Sequence, residues 1–165
     1  MISEVKVLSR REMDDIAENP YRFLFYGDNW GVISIYTDGE YLTPDTRNKL
    51  KEFNCLHALS LNFWDVTDTD YEKVKKTHPG VILFNDDHAN QVIEAVKVMQ
   101  DDEREMVCVV HCDAGVSRSG AIGEFATDFC KLDYHRFKDK NPCICPNSFI
   151  RSKLMRISGL CPYSP

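Results

Sequence analysis

Long apolar runs are missing from this chain of 165 residues. None approaches the roughly 20 apolar residues that a helical membrane span needs. Positive charge is in deficit as well, with 20 Lys and Arg against 26 Asp and Glu and a net charge of −6. Nucleic acid rewards a basic surface, so this balance argues against nucleic acid as the main ligand. It leaves room for a small anionic substrate, because one locally positive pocket can sit on an acidic protein. Internal repeats, low-complexity tracts and linkers are absent, and no secretory leader or lipidation pattern is visible. The composition also lacks the signature of disorder, since 43% of the residues are apolar and 11% aromatic. The length suits a single domain spanning residues 1–165.

Cysteine is not scarce. The seven are Cys55, Cys108, Cys112, Cys130, Cys143, Cys145 and Cys161, an odd number at irregular spacings. With no leader in view, they read as reduced thiols of a cytoplasmic, monomeric protein that does not enter a membrane. Cys143-x-Cys145, with His135 and Cys161 nearby, lacks the spacing of a zinc-binding pair, so no metal is expected. Cys55 and Cys108 are candidates for trapping an oxidised Cys112 as a disulfide, although core filling explains both more simply.

The pattern along the chain alternates strand with helix. Glu4 to Ser9 alternates as a strand, and a charged stretch to Glu18 reads as a helix ended by Asn19-Pro20. Val32 to Tyr36 is a second strand. Thr43-Pro44 is an N-cap followed by proline at the first helical position, opening a helix to about Phe53. Leu59 to Phe63 alternates again, and a polar stretch from Trp64 to Gly80 follows. Asn85 caps a helix whose Ala89, Val92, Ile93, Val96 and Met99 share one face. Val107 to Val110 suits a strand buried on both faces. A helix with Ile122, Phe125, Ala126 and Phe129 inward comes next, and a last one starts after Pro146. This order predicts an α/β domain with a central, mostly parallel sheet flanked by helices.

The turn after Val110 carries the chemistry. It reads His111-Cys112-Asp113-Ala114-Gly115-Val116-Ser117-Arg118-Ser119 and joins a buried strand to a helix. The backbone N–H groups of Asp113 to Arg118 can curl into an anion-binding nest. The helix start adds unsatisfied N–H groups and the positive end of its dipole. Gly115 permits a backbone conformation that side chains with a Cβ avoid. Arg118 supplies a planar fork for two phosphate oxygens. Cationic and helix-N-terminal settings favour a thiolate, with cysteine ionising at roughly 3.5–7.5 in place of about 8.5. Cys112 is therefore the expected nucleophile, forming a phosphocysteine. Ser119 is placed to hydrogen-bond the sulfur, and His111 to orient the loop through its ring nitrogens.

The run His111-Cys112-x-x-Gly115-x-x-Arg118-Ser119 resembles the signature of protein tyrosine phosphatases, and Ala114 to Ser119 is most like the dual-specificity branch. The resemblance implies the phosphatase fold, a two-step cysteinyl-phosphate mechanism, a phosphorylated protein as substrate and no cofactor. It also implies a carboxylic acid on a loop after a strand, upstream of the nucleophile, to protonate the leaving oxygen. Asp65 fits that place and Asp68 is the second candidate. Asp86 and Asp87 read as first-turn residues that favour the helix dipole. The gap from Asp65 to Cys112 is longer than the family's usual one, and an insertion around Thr67 to Gly80 accounts for it. Phosphoinositide members place basic residues in the loop. Here those positions hold Asp113, Ala114, Val116 and Ser117, and Asp113 repels a polyanion. A phosphatase for a non-protein ester, a non-catalytic phosphoprotein-binding module and a rhodanese-type sulfur transferase are the alternatives.

Overall fold

A computed structural model of the chain describes residues 1–19 and 28–160. Pro20 and Cys161 lie outside the described residues. Four strands, β1 (Ile2–Ser9), β2 (Asn29–Tyr36), β3 (Cys55–Asn62) and β4 (Met106–Cys112), form one sheet in the order β1-β4-β2-β3. Every pairing is parallel. The last strand is therefore inserted between the first and second. In register, Ser9 lies beside Cys112, and Ser34 lies beside His111.

The described residues hold seven helices: α1 (Arg10–Glu18), α2 (Pro44–Glu52), α3 (Asp68–Thr77), α4 (Asp86–Asp101), α5 (Arg118–Phe129), α6 (Tyr134–Lys140) and α7 (Ser148–Ile157). Their starts follow from local chemistry. Ser9 and Glu12 make a reciprocal capping box for α1. Thr43 caps α2 ahead of Pro44, and Asn85 and His88 box the start of α4.

Alternation in β4 distributes the core between the two faces. Cys108 and Val110 join a cluster with Val92, Val96, Ile122, Phe125, Ile150 and Leu154, beneath α4, α5 and α7. Val107 and Val109 join Met13, Ile16, Trp30 and Leu50, beneath α1 and α2. All seven β4 residues are buried. Each fully buried aliphatic side chain contributes about 1.5–3 kcal/mol, which fixes β4, and the turn that follows it, at the centre.

Several expectations need correction. The polar stretch from Trp64 to Gly80 contains α3, which has no buried residue and so shows no apolar periodicity. α6 was not anticipated either; among its seven residues Phe137 is the buried one. β3 begins at Cys55 rather than Leu59. Arg151 pairs with Glu124 and Asp128, and Lys153 and Arg156 pair with Asp86, joining α7 to α5 and α4. No described helix is long and apolar enough to cross a membrane.

Candidate active site

β4 ends at Cys112 and α5 begins at Arg118, so the five intervening residues turn at the carboxyl end of a central parallel strand. Ligands of α/β sheets gather at such ends. Gly115 makes the turn possible. Its φ of +71° lies in the left-handed region, and a Cβ there would sit 2.6 Å from the Ser9 nitrogen and 2.7 Å from the Leu8 carbonyl carbon. The loop thus lies directly against the end of β1.

Outside groups hold the loop's carbonyls. Arg10 N–H donates to the Asp113 carbonyl (3.2 Å), Cys145 N–H to Val116 (3.1 Å) and Asn147 N–H to Ser117 (3.2 Å). In a trans peptide the N–H points opposite to the C=O. The N–H groups of Ala114, Ser117 and Arg118 therefore face away from these outer contacts. Ser117 occupies the N-cap of α5 but makes no capping bond. Its hydroxyl donates to Asp65 Oδ1 at 2.9 Å instead. The helix start is therefore without a side-chain cap, and N–H groups of that kind can bind an anion.

Cys112 is 2% exposed, and its Sγ lies 3.0 Å from Ser119 Oγ. Arg118, the residue before Ser119, is buried as well. Its Nη1 donates to the Phe63 carbonyl (2.8 Å) and Thr37 Oγ1 (2.9 Å), with the Tyr36 carbonyl at 3.4 Å. Its Nη2 donates to Asp113 Oδ2 at 2.5 Å. Its Nε is buried and has no partner among the described residues. Buried donors are rarely left unpaired, so this one marks a place for an acceptor.

Asp65 stands on the loop between β3 and α3, pinned by buried Phe63 and Val66 on either side. Asn147 Nδ2 also donates to its Oδ1, at 2.8 Å. The loop that carries Asp65 is the one whose Phe63 carbonyl holds Arg118. Asp68 instead begins α3, where its Oδ1 takes the Thr69 N–H at 2.9 Å. Asp86 and Asp87 lie in the first turn of α4.

His111 departs from expectation. Both ring nitrogens are buried without a hydrogen-bond partner among the described residues, so the ring does not orient the loop by hydrogen bonding. It packs edge-on against Tyr36, with ring centres 5.6 Å apart. Burial, then the Arg10 charge and more weakly Arg118, pushes its pKa down to about 4 against the opposing pull of Asp113.

Asp113 was missed as a structural partner of the arginines. Its Oδ2 accepts from Arg118 and from Thr37 Oγ1 (3.1 Å), and its Oδ1 pairs with Arg10 Nη2 at 2.7 Å. Burial pushes its carboxyl up, but the Arg118 hydrogen bond and charge, with Arg10 and Thr37, outweigh burial and hold it below its ordinary value. Arg10 also pairs with Glu40 and lies 5.1 Å from the Tyr36 ring centre.

Neither candidate resolving thiol reaches Cys112. Cys108 is four residues back along the same strand, about 13 Å at 3.3 Å per residue. Cys55 is level with Val107 and two strands away. A disulfide needs Cα atoms within roughly 7 Å. Burial pushes the Cys55 thiol up to about 12 and also raises that of Cys108. A groove of about 630 Å³ between β3 and α4 is lined by Leu56, Ala58, Leu59 and Val98 and contains no thiol.

No family model and no curated protein matches this sequence. Among solved structures, the chain is similar to the human tyrosine phosphatase-like serine/threonine/tyrosine-interacting protein. The two are 13% identical, with 92% of this chain and 85% of that chain covered and a TM-score of 0.44.

Proposed function

We propose that this chain is a cysteine-dependent phosphoprotein phosphatase that hydrolyses phosphotyrosine. One observation carries the reading: a buried thiol and a buried arginine with an unpartnered Nε meet in a glycine turn at an uncapped helix start. Phosphate oxygens are the natural acceptors for that set of donors.

In the first step the Cys112 thiolate attacks phosphorus, the P–O bond to the substrate breaks, and the leaving oxygen takes a proton from Asp65. In the second step water attacks the phosphocysteine and the S–P bond breaks. Inorganic phosphate leaves, and Asp65 takes back the water's proton. Arg118 and the loop N–H groups of Asp113 to Arg118 hold the three equatorial oxygens. Ser119 supports the sulfur as leaving group. The scheme uses no metal.

Hydrolysis of p-nitrophenyl phosphate in the presence of a chelator tests it, with wild type beside Cys112→Ser. Activity that survives chelation and is lost in Cys112→Ser is the expected result. A well-folded wild type that binds a phosphopeptide without cleaving it overturns the enzyme reading and leaves a binding module.

A further inference from the structure

Asp113 places a carboxylate on the arginine that the substrate's phosphate needs. A guanidinium has five N–H donors. Both Nη1 hydrogens of Arg118 go to Phe63 and the Tyr36–Thr37 edge, and one Nη2 hydrogen goes to Asp113. Nε and a single Nη2 hydrogen remain for an oxyanion. An arriving dianion then lies within a few ångströms of the Asp113 carboxylate. Charges that close, and partly shielded from water, repel strongly.

Asp113 also has a second cation. Arg10, at the first position of α1, holds Oδ1 at 2.7 Å while Oδ2 stays on Arg118. The Arg10 backbone N–H fixes the Asp113 carbonyl as well. The Asp113 side chain is 46% exposed, so it has room to turn, whereas that of Arg118 is 7% exposed.

We propose that Asp113 is an internal anion competing with the substrate's phosphate for Arg118, and that Arg10 is the cation that receives Asp113 when phosphate arrives. Before binding, Asp113 neutralises a buried guanidinium and keeps its fork in place. On binding it shifts its hydrogen bonding to Arg10, and after turnover it returns to Arg118 and helps expel inorganic phosphate. Asp113 and Arg10 are specificity and positioning residues; neither reacts. This inference rests on the phosphatase reading of the cradle.

The two residues should have opposite effects, which a merely structural role would not produce. Inorganic phosphate binding is measured by titration calorimetry at pH 7 for wild type, Asp113→Asn, Arg10→Gln and the double variant, with circular dichroism to confirm folding. Asp113→Asn should bind phosphate about tenfold more tightly, since it keeps the side chain's shape and removes the competing charge. Arg10→Gln should bind about threefold more weakly, because Asp113 then has Arg118 alone. In the double variant the Arg10 effect should vanish. An unchanged or weaker Kd in Asp113→Asn overturns the proposal. So does an Arg10→Gln loss of equal size in both backgrounds, which would mean that Arg10 attracts phosphate directly. A folded wild type that binds no phosphate removes the phosphatase reading itself, and the competition with it.

Discussion

The Ser117 hydroxyl donates to the Asp65 carboxylate at 2.9 Å, joining two loops that stand 52 residues apart. The bond diverts an N-cap serine from its own helix and holds the candidate acid at the rim of the cradle.

If Asp65 protonates the leaving oxygen, Asp65→Asn should lower kcat on phosphotyrosine peptides by roughly 10²–10⁴. The loss should be smaller on p-nitrophenyl phosphate, whose leaving group departs more easily without a proton. Asp68→Asn should resemble wild type, because its carboxylate serves the first turn of α3. Steady-state kinetics on both substrates decides. A wild-type rate in Asp65→Asn would remove it as the acid.

Gly115→Ala should destabilise the fold as well as the site. A left-handed conformation costs a residue with a Cβ about 1–2 kcal/mol. The added carbon also meets the backbone of Leu8 and Ser9 at under 3 Å, which side-chain rotation cannot relieve. A Tm drop of more than about 4 °C is expected on thermal melting, with loss of phosphate binding.

His111 gives stability a pH dependence of definite sign. Its folded value of about 4 lies below the ordinary 6.5, so the unfolded chain takes up the proton first as pH falls. Its contribution is whole above pH 6.5 and is lost progressively between 6.5 and 4, by about 3 kcal/mol in total. Urea unfolding across that window should show the decline. His111→Gln should flatten it, and an unchanged slope in that variant would assign the dependence to other groups.

Asn141 is the least conspicuous residue with a large expected effect. Buried beside α6, its side chain accepts the Val7 N–H at 2.8 Å and donates to the carbonyls of Phe137 (2.8 Å) and Val5 (3.4 Å). It thereby anchors an edge strand. Asn141→Ala takes this partner from the Val7 N–H and the Val5 carbonyl, while the Phe137 carbonyl keeps the residue's backbone N–H, and a loss of roughly 1–3 kcal/mol is expected in chemical denaturation.

Some of this was legible in the sequence because the physics is local. Thr43-Pro44 and Asn85 announce helix starts by capping chemistry alone. The Cys112 to Ser119 turn carries its chemistry in consecutive residues, and the strand before it shows its burial by composition. α3 escaped because it packs no buried side chain and so has no apolar stripe to detect. The Asp113–Arg10 pair and the Asn141 anchor join residues more than a hundred positions apart, and nothing in spacing or periodicity points to such partners. The idle nitrogens of His111 escaped for another reason: a histidine beside a nucleophile invites a hydrogen-bonding role, and only packing reveals that Tyr36 meets the ring.

The strand order has a consequence for how the chain acquires its chemistry. β1 pairs with β4, and β4 also supplies the inner edge of β2. Among the described strands, β1 must therefore wait for β4 before it can enter the sheet. Such long-range closure is slow and leaves strand edges open in the meantime. Because β4 also ends in Cys112, the turn proposed to hold phosphate takes shape only as the sheet closes. A partly folded chain therefore lacks that turn until β4 is in place.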